Sequence, residues 1–591
     1  MKRLHWATVL LIAFVTLRTQ ELVHAQEFVT SPASRIHPQF SKLRADERVD
    51  VMVLHRAEAP EGAGERIQSR TGLNLHHHFE NVRQSAGRLT RSEIERLAND
   101  PEVEFIAPDS PVKAFGLDRG PESIGAYAAY AAGQTGNGVG VAVIDSGITY
   151  SNCDYSYQCK TDNRFLGQMS FVTSLDGTST APNDGQDYFG HGSHVASILA
   201  GSGVFSTSYI DSWGITPTYW IHGVAAGANV ISLRVLDSKG SGTDSMVIAA
   251  IDWAISNKES MNIRVINLSL GRPFTVSYKK DPLCQAAEQA WKAGIVVVVA
   301  AGNYGRSSPA TEGYGTITAP GNDPLVITVG AVNTRGTTNI EDHVVASYSS
   351  KGPTAIDHIA KPDLVAPGNK IYATQCQSCP LIASYPANKV PDTDYASVPA
   401  GWSPASSWYF TLSGTSMATP MVAGAAAILI AEHPSLTPDQ VKARLMKTAS
   451  KSNFVPSYVA TDPTTGATYP INHDLFTIGA GELNVTAALA NSDLASESAA
   501  SPAVTFNSAT NKTQLVTGSS VVWGTSVVWG TSVVWGTNVV SGTSVVWGTS
   551  VVWGTATISG SSVVWGTNSI VSSTGSALSS DSSSAVINGD E

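Results

Sequence analysis

A serine stands on a glycine turn in Gly414-Thr415-Ser416-Met417-Ala418-Thr419-Pro420, at the start of an apolar run that ends near Ile430. A hydroxyl so placed lies at a helix N-terminus, where unpaired backbone N–H groups and the helix dipole stabilise negative charge. That is the setting an acyl-transfer nucleophile requires. A hydroxyl at its free pKa is a poor nucleophile and needs an oriented base beside it. Val141-Ala142-Val143-Ile144-Asp145-Ser146-Gly147 reads as a short buried strand delivering a carboxylate at its C-terminal end. Gly190-His191-Gly192-Ser193-His194-Val195-Ala196 places a histidine between glycines at the opening of a helix-like run. Taken singly, these two have plainer readings: a turn after a strand, and a satisfied histidine pair or a metal ligand set. The serine motif is the more specific of the three.

The chain order Asp145, His191, Ser416, with these flanks, resembles the subtilisin family of serine peptidases. The likeness covers roughly residues 48 to 490. A fourth motif, Ala300-Ala301-Gly302-Asn303, follows the apolar run 295–299 and is similar to the family's oxyanion-hole segment. The resemblance implies that Ser416 attacks the scissile carbonyl, His191 takes and returns the proton, and Asp145 holds the imidazole tautomer. It implies further that the Asn303 side-chain amide and the Ser416 backbone N–H bind the developing oxyanion. His194 is the rival base; the family pattern puts the catalytic histidine first in His-Gly-x-His, which leaves His194 to pack.

Peptide substrates of this family bind as an added strand. The matching segments are Gly240-Ser241-Gly242 and Ser269-Leu270-Gly271, with an ordinary glycine turn as the alternative, above all for the first. Tyr304 and Thr318 fall at positions bordering the primary specificity pocket, and their lack of charge implies a preference for apolar or aromatic side chains. No cofactor is expected for catalysis. Structural calcium is implied by the resemblance alone, with Asp154, Asp162, Asp176 and Asp187 either contributing ligands or simply solvated.

Residues so far apart in sequence need a scaffold to meet. Apolar strand candidates at 139–144, 229–235, 265–268, 295–300 and 326–329 alternate with helical segments such as 244–255 and 285–293. That alternation predicts an α/β fold, a parallel sheet with helices on both faces over residues 119–490. Such sheets place ligands beyond the carboxyl ends of their strands, where Asp145 and Asn303 fall. The apolar run 417–431 begins at the serine and contains Pro420, so it reads as a buried core helix. Two polar or aromatic stretches, 152–187 and 202–221, depart from compact family members.

Ahead of this domain, residues 26–118 form a charged segment with its core at about 48–113. Strands at 49–54 and 103–106 and a helix at 91–99, capped near Thr90, predict a small α+β unit. It is similar to the propeptide of subtilisin-like enzymes, which implies a folding chaperone and intramolecular inhibitor whose tail, 107–115, fills the cleft before self-cleavage near 108–120. His76-His77-His78 reads as a solvated loop, with a metal or pH switch as the alternative. Before it, Lys2-Arg3, an apolar stretch at 6–17 and Val23-His24-Ala25 predict a signal peptide over 1–25 and hence a secreted protein.

With 591 residues there is room for several domains. A net charge of −11 gives no basic footprint for nucleic acid. Five cysteines fit an exported protein with a few staples: Cys153 with Cys159, and Cys376 with Cys379 across a Cys-x-x-Cys more suited to a disulfide than to zinc, leaving Cys284 over.

After a linker at 491–519, hexads of Ser-Val-Val-Trp-Gly-Thr run from 520 to 567, and a Ser-rich tail follows at 568–591. An even repeat keeps each side chain on one face of an extended strand. Stacked hairpins, a β-solenoid or an aggregation-prone tail all suit it. The main functional expectation is a secreted, self-processed serine endopeptidase acting on proteins, with its own propeptide as inhibitor. The alternatives are a surface-binding or adhesive protein whose repeats contact a cell surface, a polysaccharide or another copy, with a peptidase serving self-processing, and a serine esterase.

Overall fold

The apolar runs become strands of one sheet buried on both faces, as parallel strands require when helical crossovers cover each side. The computed structural model describes residues 32–507 except 38, 39, 42, 45, 57, 80–82, 109–119, 150–153, 155–163, 173–180, 208–215, 308–311, 377, 378, 398–407, 452, 453, 463–465 and 497. Beyond these it describes 512–516, 528, 529, 533, 534, 539–541, 551, 552, 557–559 and 590. The expected signal peptide, nearly all of the expected cleavage region, Cys153, Cys159, Asp162, Asp176 and most of the hexads therefore lie outside the described residues. The chain divides into two units, Met1–Ala114 and Phe115–Glu591.

In the first unit, β1 (Arg48–His55), α1 (Ala63–Thr71), β2 (Leu75–Phe79), β3 (Gln84–Thr90), α2 (Arg91–Leu97) and β4 (Val103–Pro108) build an antiparallel sheet ordered β2-β3-β1-β4 with two helices. Alternate residues of β1 face inward, so Val51 and Val53 meet Ile67 of α1 and Ile94 and Leu97 of α2 in one core. A capping box opens α2: Glu93 N–H donates to Thr90 Oγ1 at 3.4 Å, and Thr90 N–H donates back to Glu93 Oε2 at 2.8 Å. The histidine tract corrects the loop reading, because it lies within β2. A histidine in a strand can pair its ring across the sheet and need not be solvated. His78 Nδ1 is 2.9 Å from Ser85 Oγ on β3, and its Nε2 is 3.2 Å from Gln68 Oε1.

In the second unit the chain runs through β5 (Gly140–Asp145), β6 (Phe165–Ser170), α3 (His191–Ala200), β7 (Asn229–Arg234), α4 (Asp244–Ser256), β8 (Ile263–Leu268), α5 (Pro282–Lys292), β9 (Val296–Ala300), β10 (Ile327–Asn333), β11 (Val344–Val345) and β12 (Leu364–Pro367). Their sheet is ordered β11-β10-β9-β8-β5-β7-β6, with β12 beside β10 and only the β10–β11 pairing antiparallel. The fold class is α/β, as the alternation predicts. Chain order reverses about β5, so the carboxyl end of β5 opens at the crevice where ligands bind in such sheets. Every residue of β5, β9 and β10 is buried, which explains their predominantly apolar sequences.

Farther on come β13 (Ile371–Thr374), paired antiparallel with β14 (Tyr409–Leu412), then α6 (Thr415–Glu432) and α7 (Pro438–Thr448), and the antiparallel pair β15 (Ala503–Asn507) and β16 (Lys512–Val516). Helix α6 packs along β8, β9 and β10 and is apolar on all sides; it is long and apolar enough to span a membrane, yet 83% of that window is buried in the protein core. Part of the insertion at 202–221 forms a small second core, in which Val204, Phe205 and Ile221 meet Tyr395 and Tyr409.

Candidate active site

Strand β5 ends at Asp145, whose side chain is wholly buried. Its Oδ1 accepts from the Ser146 N–H at 2.7 Å and from His191 Nδ1 at 2.8 Å. Its Oδ2 is buried and has no partner among the described residues. His191 is the first residue of α3, and the glycine after it lets the helix meet the strand end: a Cβ on Gly192 would lie 2.1 Å from the Gly147 carbonyl oxygen. Burial alone would lower the imidazole pKa. The field and hydrogen bond of Asp145, with a further contribution from Asp187, outweigh that and raise it above the ordinary value of 6.5. His194, one helical turn on, is different: its Nε2 bonds to the Phe410 carbonyl at 2.9 Å, and burial pushes its pKa down to about 3, so it is a neutral packing residue.

Ser416 is the second residue of α6. Pro420, four residues on, has no N–H, so the Ser416 carbonyl loses its usual helical partner. Ser269, just past β8, takes that place. Its Oγ donates to the Ser416 carbonyl at 2.8 Å, while the Ser416 hydroxyl donates to the Ser269 carbonyl at 3.1 Å. The proline thus exchanges a helical bond for a tie between α6 and the segment after β8. Asn303 follows β9, and its Oδ1 accepts from the Thr415 N–H at 2.9 Å and Thr415 Oγ1 at 3.0 Å. With the oxygen so engaged by a backbone donor, the amide orientation is fixed, and the Nδ2 donors are left for another acceptor.

A cavity of about 360 Å³ joins these parts; His191, Asn303 and Ser416 all line it. Gly240, Gly242, Ser269, Leu270, Gly271, Tyr304 and Thr318 line it as well. Ser241 does not; its N–H donates to Asp237 Oδ1 at 3.0 Å and its carbonyl accepts from the Asp237 N–H at 2.8 Å, closing a turn.

A model of the subtilase family matches residues 136–481, the stretch that carries all four motifs. The chain belongs to the subtilase family. Among curated subtilases, it is 34% identical to the serine protease AprX of Bacillus subtilis (strain 168) over 398 residues, which is 66% of this chain and 79% of that one. It is also 34% identical to subtilisin E of the same organism over 387 residues, 65% of this chain and 80% of that one. A solved crystal structure described as a cold adapted subtilisin-like serine proteinase aligns with a TM-score of 0.37 and 27% identity, over 58% of this chain and 90% of that one. As a member of this family, the protein is a subtilisin-like serine endopeptidase.

Several neighbours of the subtilase site carry no motif of their own. Asp187 is the first. Its Oδ1 accepts from Ser146 Oγ at 2.9 Å, Phe189 N at 3.0 Å and Gly190 N at 2.7 Å, and its Oδ2 from Ser193 N at 2.9 Å. It caps the start of α3 and, through Ser146, braces the turn holding Asp145. Burial pushes its pKa up against these bonds. The second is Arg272, on the cavity wall, forked between Asp244 at 2.6 Å and Asp281 at 3.0 Å. With its donors so engaged, it offers no free guanidinium to a substrate. A feature legible in sequence is the Asp281-Pro282 cap opening α5, since Asp281 Oδ1 accepts from Leu283 N at 3.0 Å.

Of the four calcium candidates, Asp154 and Asp187 are described, and each is engaged by protein donors. Asp187 is used as a helix cap, and Asp154 is buried with its Oδ1 taken by Gly203 N at 3.0 Å and Val204 N at 3.2 Å. Burial raises the Asp154 pKa to about 6. Among the described residues no group of three or more His, Cys, Asp or Glu is arranged to hold a metal ion. Cys376 and Cys379 form a disulfide, and Cys284 is free and buried. Gly190, next to His191, packs on this bridge, for a Cβ there would lie 3.2 Å from Cys379 Cβ.

Proposed function

We propose that this subtilase hydrolyses peptide bonds through Asp145, His191 and Ser416 by way of an acyl-enzyme, with Asn303 and the Ser416 N–H as the oxyanion hole. The observation that carries the reading is the 2.8 Å bond from His191 Nδ1 to Asp145 Oδ1 beside a cavity that Ser416 and Asn303 also line. That bond sets the tautomer with Nε2 unprotonated, which is the form of the ring able to take a proton from Ser416. As Ser416 Oγ attacks, it gives up its bond to the Ser269 carbonyl and its proton passes to His191 Nε2. Asp145 stabilises the resulting imidazolium. The carbonyl oxygen gains negative charge, which Asn303 Nδ2 and an orphan amide of the first turn of α6 are aimed to receive. His191 then protonates the leaving amine, and water repeats the sequence on the ester.

Gly240, Gly242 and the Ser269-Leu270-Gly271 segment border the cavity without bulky side chains in the way, which supports an extended peptide running between them. The cavity wall offers Tyr304 and Thr318 and, among the described residues, no free cation, which favours uncharged side chains before the cut.

The reading extends to a secreted zymogen: 1–25 directs export, 26–118 acts as chaperone and inhibitor, and the enzyme cuts itself near 108–120. The basic and apolar leader and a separate small α+β unit support it. Expression of residues 26–591 beside Ser416→Ala tests both parts. The expected result is release of a fragment ending near 108–120 and casein hydrolysis, both absent from Ser416→Ala. Two inert, full-length proteins over a range of pH and calcium contradict it.

A further inference from the structure

Asp590 is the one described residue beyond 559, and its side chain is 3% exposed inside the catalytic unit. Its Oδ1 accepts from Arg306 Nη2 at 2.7 Å and from Ser347 Oγ at 2.7 Å, and its Oδ2 from the Ser347 N–H at 2.6 Å. Its backbone is read too: the Asp590 N–H donates to Asn369 Oδ1 at 2.7 Å, and Asn369 Nδ2 donates to the Asp590 carbonyl at 3.1 Å. A tail brushing a surface makes exposed, side-chain contacts. Here a carboxylate and both backbone groups of one residue are matched by buried partners.

The receptor side is built to hold an anion. The Arg306 side chain is 1% exposed; its Nη1 is 2.5 Å from Asp462, its Nε donates to Ser347 Oγ at 2.7 Å, and its guanidinium lies 4.5 Å from the centre of the Tyr469 ring. The Arg306–Asp462 pair is already neutral, so a second buried carboxylate is costly unless further donors meet it. The Ser347 N–H and hydroxyl are those donors.

We propose that Arg306, Ser347 and Asn369 form a receptor for an aspartate-bearing segment, filled in cis by Asp590, which fastens the far side of the repeat tail to the catalytic unit. The near side is already fastened, since Ala503 at the start of β15 bridges to Ile359 and Ser501 Oγ donates to Asp363 at 2.5 Å. The receptor also touches the segments of the active site. Arg306 comes three residues after Asn303, and Asn369 follows Gly368, whose carbonyl accepts the Gly414 N–H at 2.8 Å.

The test uses the full chain carrying Ser416→Ala, which prevents self-digestion, with and without Asp590→Ala. The probe is a fluorescent peptide of residues 584–591, Ser-Ala-Val-Ile-Asn-Gly-Asp-Glu. It is expected to bind the Asp590→Ala protein at least about tenfold more tightly than the parent, whose site is filled. Replacing the peptide's aspartate by alanine is expected to abolish binding. Hydrogen exchange on the parent supplies a check that needs no variant at 590: the Asp590 and Ser347 amides are expected to be protected. Equal or absent peptide binding to the two proteins, or an Asp590 amide exchanging at the rate of an unstructured chain, overturns the proposal.

Discussion

The two sides of the active site are in different states of readiness. On the β5 side, the Asp145–His191 bond is made at 2.8 Å, and the turn and helix that carry it are braced by Asp187 and Ser146. On the α6 side, Ser416 Oγ is bonded to the Ser269 carbonyl at 3.1 Å, and Asn303 is fixed through its oxygen, its N–H donors uncommitted. In the proposed mechanism one side moves a proton, and the other holds donors for a charge that exists only during reaction. Interactions that strengthen only in the transition state are the ones that raise kcat. The difference therefore assigns the two sides distinct kinetic signatures.

Removing the proposed nucleophile erases both sides at once. Ser416→Ala is expected to lower kcat by about 10⁶-fold with substrate binding retained, checked by peptide hydrolysis and by inhibitor affinity. Asp145→Asn breaks the assembled side and is expected to cost about 10⁴-fold in kcat. It also moves the pH profile. As the proposed base His191 must be neutral, so kcat/KM is expected to fall as pH falls through its pKa, which Asp145 holds above 6.5. Without that carboxylate the acid limb shifts to lower pH, and an unshifted limb breaks the comparison. Asn303→Ala acts on the other side alone, with an expected loss of about 10²–10³ in kcat, little change in KM and no shift of the acid limb. Ser269→Ala sharpens the distinction with the smallest effect. It frees the Ser416 carbonyl that Pro420 left without a helical partner, and a loss of about fivefold in kcat is expected, the size of one hydrogen bond of about 1 kcal/mol.

Much of this arrangement is legible in the amino-acid sequence, and for a physical reason. Central parallel strands are buried on both faces, so 139–144 and 295–300 stand out as unbroken apolar runs, and the polar residue at the end of each marks the crevice. Strand β6 does not stand out, because it lies at the sheet edge with a mixed burial pattern and a mixed sequence. The His76-His77-His78 tract misleads because polar rings suggest solvent, whereas Ser85 across the sheet and Gln68 on α1 supply His78 with partners that no local pattern reveals. Asp187, Arg272 and Asp590 escape because a lone carboxylate or guanidinium has no periodicity and each has a partner far off in sequence, Ser146 for Asp187, Asp244 for Arg272 and Arg306 for Asp590. Asp187 even reads as a calcium candidate until its four hydrogen bonds are seen.

The measurement that tests the central claim most directly is stoichiometric labelling with a fluorophosphonate, read by intact mass and peptide mapping. The account predicts one label per folded, processed molecule, carried on Ser416, formed rapidly in the wild type and not detectably in Ser416→Ala or His191→Ala. A label on another residue, or equal labelling of the wild type and His191→Ala, contradicts it.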